Sequence, residues 1–357
     1  MATTVDKPAV RAEPRSGWPR RLLHAVDERL GIDALRYPVP EHANNLGWSL
    51  GGLTAVSFVV LLVTGVYLAQ FYNPMPEAAN QSVRAIMSDV WLGGFVRGLH
   101  FWAAQAMYVL VILHLLRIIF HGSYKRPREG NWLVGVAMFA LIIGALFTGT
   151  VLKWDQEAFE ALGHNIELGE LLGGLGFWFT PKVGGGVPIL VRLYTAHAVM
   201  IPGLIVVLLT LHALLVKRHG ISPHPAIPPA APEKRAPFTH HLRRVAAFGL
   251  ALTGVLGVLA VLRPPAVGPT PVEGIEVTKP PWPFWWMFTL ENWFGLSAIL
   301  WGAGALFALL VLLPLIDRGP TRSWRHRPIV IGATVVVLLV VVTLTVLEAL
   351  TTAETHL

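Results

Sequence analysis

Seven stretches of the chain are apolar enough and long enough to cross a membrane: 49–72, 94–120, 132–152, 188–216, 243–262, 294–316 and 328–350. Each approaches or exceeds the ~20 residues that carry a helix across a hydrocarbon core. In lipid every backbone polar group must find its partner inside the protein, so these stretches predict helices, named spans A to G. The predicted fold class is all-α and integral to the membrane. Spans A to D form a four-helix bundle, and E to G add three helices.

The polar residues between the spans fall unevenly. With the N-terminus cytoplasmic, the N-terminal arm and the B–C, D–E and F–G loops share one side and hold 20 of the 28 basic residues. That is the positive-inside pattern, and it puts the C-terminus on the outer side; the expected location is a prokaryotic plasma membrane. The opposite loops hold 10 of the 21 acids, including Asp155, Glu157, Glu160, Glu167 and Glu170. Net charge is +7 with only 14% charged residues. The placement of the charges explains this balance without a nucleic-acid partner. There is no cysteine, which excludes disulfides, thiolate metal sites and thioether-linked haem. Residues 1–45 are polar and lack the short apolar core of a cleavable signal, so none is expected there.

The chain divides into an N-terminal arm (1–45), a four-helix unit (46–219), a Pro-rich linker (220–240) and a three-helix unit (241–357). The A–B, C–D and E–F loops are long. The C–D loop (154–187) mixes acids, glycines and aromatics, a content beyond what simple connection requires.

Four histidines lie inside spans: His100 and His114 on B, His197 and His212 on D. Ionisable residues in a span are costly and mark function. His100 and His114 are 14 residues apart, and His197 and His212 are 15 apart, which is about 21 Å along a helix axis. B and D run in the same direction. His100 therefore matches His197 in depth, and His114 matches His212. Two such pairs make two bis-imidazole sites for haem iron in a bundle core. The competing reading is four packing histidines, which does not account for the matched depths. A shared zinc is excluded by the 21 Å separation.

Gly51, Gly52 and Gly65 on span A and Gly135, Gly144 and Gly149 on span C permit close approach of a macrocycle. Ordinary small-residue packing explains each alone equally well. Arg97 and Arg117 stand one turn outside His100 and His114 and suit haem propionates. Arg117 also reads as a snorkelling positive-inside arginine.

These residues resemble the cytochrome b family, in its short chloroplast-type and Gram-positive branch, over most of the chain. RLYTAH at 192–197 with Pro202, VKRHGIS at 216–222, HGSYKRPRE at 121–129, VTG at 63–65 and TG at 148–149 carry the resemblance. The 15-residue spacing on span D is that branch's spacing, whereas the mitochondrial branch has 14. Spans E to G, with IDRGPTRSWRHRP at 316–328, resemble the branch's separate subunit four, here fused.

The resemblance implies two non-covalent haem b groups and oxidation of a quinol, menaquinol or ubiquinol, at the outer face. It implies a Rieske-type iron–sulfur partner, a c-type cytochrome or equivalent, and a homodimer within a complex. Lys217 or Arg218, near His212, can serve an inner quinone site, or both are topological charges. Three positions depart from the family. The cysteine that anchors an extra haem in relatives is Ser49. Leu-Pro-Trp reads Leu152-Lys153-Trp154. The Pro-Glu-Trp-Tyr motif reads Pro280-Pro281-Trp282-Pro283, so the glutamate that takes a quinol proton is absent. Trp282 can still wall an apolar pocket. Glu276, Glu291 and Asp155 are on the correct side to replace the glutamate, or are solvated loop acids, with Glu291 nearest after the motif. Two functions remain: a quinol-oxidising cytochrome b subunit, or a dihaem transmembrane electron conduit for another redox partner. A haem-free transporter or scaffold does not explain the paired histidines.

Overall fold

The computed structural model describes residues 18–31, 37–176, 179–226 and 234–351. Lys7, Arg11, Arg15 and Arg36 of the basic arm and residues 227–233 of the linker lie outside the described residues.

All seven predicted spans are helices: α2 (Leu46–Ala69), α4 (Gly93–Phe120), α5 (Glu129–Val151), the composite Ile189–His219, α9 (Phe238–Leu262), α11 (Ser297–Ile316) and α12 (Pro328–Leu350). Their ends are set by local chemistry. Asn45 caps α2 by accepting from Trp48 N–H at 3.0 Å. Pro328 opens α12 at a position where its missing N–H is harmless. Span F starts later than the hydrophobic pattern predicts, because Gly295 takes φ +80° and breaks the chain there.

The composite helix is α7 (Ile189–Thr195), a π turn (Ala196–Met200) and α8 (Ile201–His219). Pro202 has no N–H to continue the α ladder, and its ring crowds the carbonyl four residues back. The wider i→i+5 turn results, with His197 inside it.

The long loops at the other end are not featureless. They hold α3 (Pro76–Ser88), α6 (Gln156–Leu171) and α10 (Trp285–Phe294). This end carries the acids and is called the acidic end. The basic end carries α1 (Trp18–Leu30), with the 121–128, 217–226 and 317–327 segments. There β1 (Pro38–Pro40) pairs antiparallel with β2 (Arg235–Pro237), Val39 opposite Ala236, and ties the N-terminal segment to the start of α9.

The last three spanning helices pack directly on the first bundle. A Cβ on Gly52 of α2 would lie 2.9 Å from Val245 of α9, and one on Gly98 of α4 would lie 3.0 Å from Ala260. At the basic end Lys125 pairs with Asp317 at 2.6 Å, and Arg327 reaches the same carboxylate at 3.4 Å. This buried network fastens the α4–α5 turn to the α11–α12 turn.

Candidate functional sites

The four span histidines come together as two pairs. The imidazoles of His100 on α4 and His197 in the π turn have centroids 6.2 Å apart. His114 and His212 line one cavity of about 750 Å3 toward the basic end. The π turn also explains the unequal spacing. It absorbs one residue, so 15 residues between His197 and His212 match the 14 between His100 and His114.

Four of the six predicted glycines sit behind one of these rings. A Cβ built on Gly51 would lie 2.9 Å from Cε1 of His114, and one on Gly149 would lie 2.9 Å from Cε1 of His197. The same distance is 3.4 Å from Gly65 to His100 and 3.8 Å from Gly135 to His212. The glycines thus seat imidazoles on the neighbouring helix: α2 seats the rings of α4, and α5 seats those of the composite helix. Gly52 and Gly144, similar in the sequence, face Val245 and Ile201 instead.

Two threonines complete the pair nearer the acidic end. Thr64 Oγ1 lies 2.9 Å from Nδ1 of His100, and Thr148 Oγ1 lies 3.0 Å from Nδ1 of His197. Each hydroxyl also bonds a carbonyl of its own helix, Val60 O at 2.6 Å and Gly144 O at 2.8 Å. With its proton given to that carbonyl, each hydroxyl accepts from Nδ1–H and leaves Nε2 with a free lone pair. The tautomer is the one a metal requires. The other pair lacks this support, and the Nδ1 atoms of His114 and His212 are buried without a hydrogen-bond partner.

The donor set fits haem. In each pair two imidazoles converge in an apolar bundle, and at His100 and His197 the threonine on Nδ1 leaves Nε2 free to ligate iron. Arg117 lines the cavity near His114, its guanidinium is 4.4 Å from the Trp48 ring centroid, and its buried Nε has no partner. A carboxylate there would satisfy it. Arg97 is engaged differently, donating to Pro265 O at 2.6 Å and Ala266 O at 3.3 Å. Lys217 lines the same cavity as Arg117, with Nζ 5.8 Å from the Tyr37 ring centroid. Arg218 is exposed and is not part of that lining.

A second cavity, of about 920 Å3, opens at the acidic end between α5, α6, α10, α12 and the segment before α10. Pro280, Pro281, Glu291, His164, Glu160 and Glu348 all line it. Two expected residues do not. The Asp155 carboxylate caps α6 by accepting from Ala158 N–H at 3.1 Å, and accepts from Gly268 N–H at 2.8 Å. Its burial and these bonds make it a structural cap, not a base in the cavity. Trp282 turns away, donating Nε1–H to Gln105 at 2.6 Å and packing on Tyr108.

Glu291 forms an ion pair with His164, Nε2 to Oε1 at 3.1 Å. The hydrogen bond to Glu291 raises the His164 imidazole to about 9, against the opposing effect of burial. Its Nδ1 lies 2.9 Å from Glu160 O. His164 was passed over in the sequence as a loop residue. The signal was there: Glu157, Glu160, Ala161, His164, Asn165 and Leu168 recur at helical spacing and all line the cavity. Glu348, inside span G, was passed over too. It is 2% exposed and pairs with Lys279 at 3.0 Å.

Known proteins match both regions. Residues 34–220 match the family described as Cytochrome b/b6/petB, and residues 270–357 match Cytochrome b(C-terminal)/b6/petD. The cytochrome b6 of Heliobacterium mobile is 39% identical over 207 residues, covering 55% of this chain and 97% of that protein. The menaquinol:cytochrome c reductase cytochrome b subunit of Bacillus subtilis (strain 168) is 34% identical over 213 residues, covering 55% of this chain and 95% of that protein. A chain of a solved "Hyperthermophilic respiratory Complex III" shares the fold, with a TM-score of 0.78 at 22% identity over 92% of this chain and 91% of that one. The first match spans all four histidines and the glycines that seat them, and the second spans the proline-rich segment and the last two spanning helices. The chain belongs to the cytochrome b family and carries in one polypeptide the two regions that these families describe separately.

Proposed function

We propose that this chain is the dihaem subunit of a quinol-oxidising bc-type complex, moving electrons across the membrane between a quinol and a quinone. The observation that carries the reading is the depth-matched pairing of His100 with His197 and His114 with His212, each imidazole backed by a glycine of the next helix. These four residues would hold two haem b groups without a covalent link. Bound haem supplies reversible one-electron chemistry, and the chain holds, orients and insulates it. Arg117 would answer a propionate. Arg97, with donors on the 265–266 carbonyls, would serve by fixing the end of α4.

The cavity at the acidic end takes the quinol in this reading; the cavity toward the basic end would hold the haem of His114 and His212, with a quinone beside it at the exposed Lys217. Pro281 lines the first cavity where the family has a proton-accepting glutamate. Glu291, in the same cavity, is the remaining candidate for that role. The name of the Bacillus relative favours menaquinol over ubiquinol. The partners would be a Rieske-type iron–sulfur protein and a c-type cytochrome, in a dimeric complex of a prokaryotic plasma membrane. The basic end would be cytoplasmic by the positive-inside rule. Residues 46–219 form the dihaem unit and 241–357 the three-helix unit resembling subunit four in this scheme, and both line the quinol cavity.

One observation favours a second reading. Pro281 has no group to take a proton, as expected of a transmembrane electron conduit that no longer oxidises quinol.

The test uses the complex purified with its partners. Reduced-minus-oxidised spectra should show two b-type haems. Ala at His100 or His197 should remove one haem, and Ala at His114 or His212 the other. Losses paired in any other way would reject the assignment. Rapid reduction of the haems by quinol separates the first reading from the conduit.

A further inference from the structure

The acids of the quinol cavity are not equivalent. Four oxygen–donor contacts engage Glu160: Gln156 Nε2 at 2.8 Å, Val277 N at 3.0 Å, Thr278 N at 2.9 Å and the Thr278 hydroxyl. Burial works to raise its carboxyl, yet these bonds hold it below the usual range. Glu157 is paired with Lys153. Glu348 is held by Lys279 at 3.0 Å, Thr289 at 3.2 Å and Asn292 at 3.4 Å. Glu276 is exposed. Glu291 alone among these cavity acids keeps a buried oxygen, Oε2, with no donor, while Oε1 faces His164 at 3.1 Å. A buried carboxylate oxygen without a donor is unfavourable, and a native structure that keeps one calls for a ligand or a task.

We propose that His164 and Glu291 form a charge-balanced pair in which Glu291 accepts the quinol proton at Oε2 and His164 positions that carboxylate. The proposal rests on the quinol-oxidation reading above and names the base within it. An entering quinol hydroxyl supplies the donor that Oε2 lacks. On oxidation the quinol O–H bond breaks and a new O–H forms at Oε2. The quinol's other proton and one electron leave to the iron–sulfur partner protein, and the second electron leaves toward the haem that His100 and His197 would hold, so that the quinol becomes a quinone. The pair passes from net zero to net positive, which favours onward release of the proton. Glu276, exposed and lining the same cavity, is a carboxylate with access to water. His164 is anchored at both nitrogens, to Glu291 and to Glu160 O. It can therefore hold the Glu291 carboxylate in place without competing for the proton. Charged groups facing the pair are Glu157 and Glu160 of α6, Glu276 and Lys279 of the segment before α10, and Glu348 of α12.

The two residues should differ in their pH signatures. Glu291→Gln removes the acceptor and should slow quinol-driven haem reduction by about 10²-fold or more at every pH. His164→Asn removes only the cation. Loss of an adjacent cation disfavours the charged form of a carboxylate. The acid limb of the rate profile should then move to higher pH, with rates returning toward wild type in alkali. His164→Lys restores a cation and should move the limb back.

The experiment is stopped-flow reduction of the purified complex by a quinol across pH, with dithionite-reducible haem measured in every variant. Retention of both haems shows that a variant has folded. If wild type turns over and Glu291→Gln is silent, or the limb stays in place in His164→Asn, the pair is wrong while the quinol reading stands. If wild type, with both haems reducible by dithionite, takes no electrons from quinol, the reading and the pair fall together.

Discussion

Thr148 Oγ1 lies 3.0 Å from Nδ1 of His197, and the residue after it, Gly149, presents its α-carbon to the same ring. Thr64 and Gly65 do the same for His100. A two-residue Thr-Gly unit thus does two tasks at once, because residues in succession on a helix project about 100° apart. The hydroxyl fixes the imidazole tautomer, and the glycine leaves room for the ring. The pair nearer the basic end has the glycines without the threonines: Leu50 precedes Gly51, and Val134 precedes Gly135.

Replacing Thr148 by Val keeps the shape and removes the acceptor. Haem at the His100–His197 pair should then bind about 10- to 100-fold more weakly, the usual scale for losing such an outer partner. Haem at the other pair should be unaffected. Titration with a haem-scavenging protein, followed in the b-type α band, measures both. Equal losses at the two pairs would count against the assignment.

The glycines allow a graded test. Ala at Gly149 or Gly51 places Cβ 2.9 Å from an imidazole, closer than real contacts permit. Either the ring or the helix must shift, at about 1–3 kcal/mol, and haem content at that pair should fall. Ala at Gly135 meets His212 only at 3.8 Å, an ordinary contact, and should be tolerated. Gly65→Ala, at 3.4 Å, should fall between them. Haem per polypeptide across the four variants should follow the order of these distances.

The spans, their order and the histidine pairing were all legible from hydropathy and spacing, since a helix in lipid has few alternatives. What was not legible came from chemistry that periodicity in a single span does not report. The 15-residue spacing suggested an ordinary helix, and only Pro202 hinted at the π turn that makes the spacing work. Asp155 looked like a free loop acid. Its place directly before Gln156–Leu171 was an N-cap signal, but the helix itself was hidden in what looked like a loop. Trp282 sits in the expected motif yet faces Gln105, because its indole N–H finds an acceptor there. Glu348 met the criterion of an ionisable residue inside a span. Its partner, Lys279, lies 69 residues away in sequence, a pairing that no local pattern reveals.

That pairing leads to a stability prediction. Glu348 is 2% exposed and Lys279 is 17% exposed. Removing one partner of a buried ion pair leaves the other charge uncompensated, which costs about 3–5 kcal/mol. Lys279→Met should therefore lower thermal stability in detergent markedly, and it also removes the donor that closes the carbonyls at the end of α12. The double variant Lys279→Met with Glu348→Gln should recover part of the loss. If the double variant is no more stable than Lys279→Met alone, the charge is not the cause.

The His164–Glu291 pair also carries a pH dependence of stability that is independent of turnover. The Glu291 carboxylate raises the His164 imidazole to about 9, outweighing burial, which acts to lower it. In the unfolded chain the same group titrates near 6.5. The folded state therefore binds the proton more tightly. Stability from the protonated imidazole is fully present below about pH 6.5 and declines as pH rises toward and through 9, where the folded state loses its proton too. His164→Asn cannot show this dependence. The difference in unfolding temperature between wild type and His164→Asn should be largest near pH 6 and shrink steadily to a minimum above pH 9. A difference that stays flat over this range would mean that the imidazole is not protonated by its partner in the folded protein. A difference that grows with pH would reverse the sign of the linkage, and Glu291 would then lack a cationic partner in the cavity.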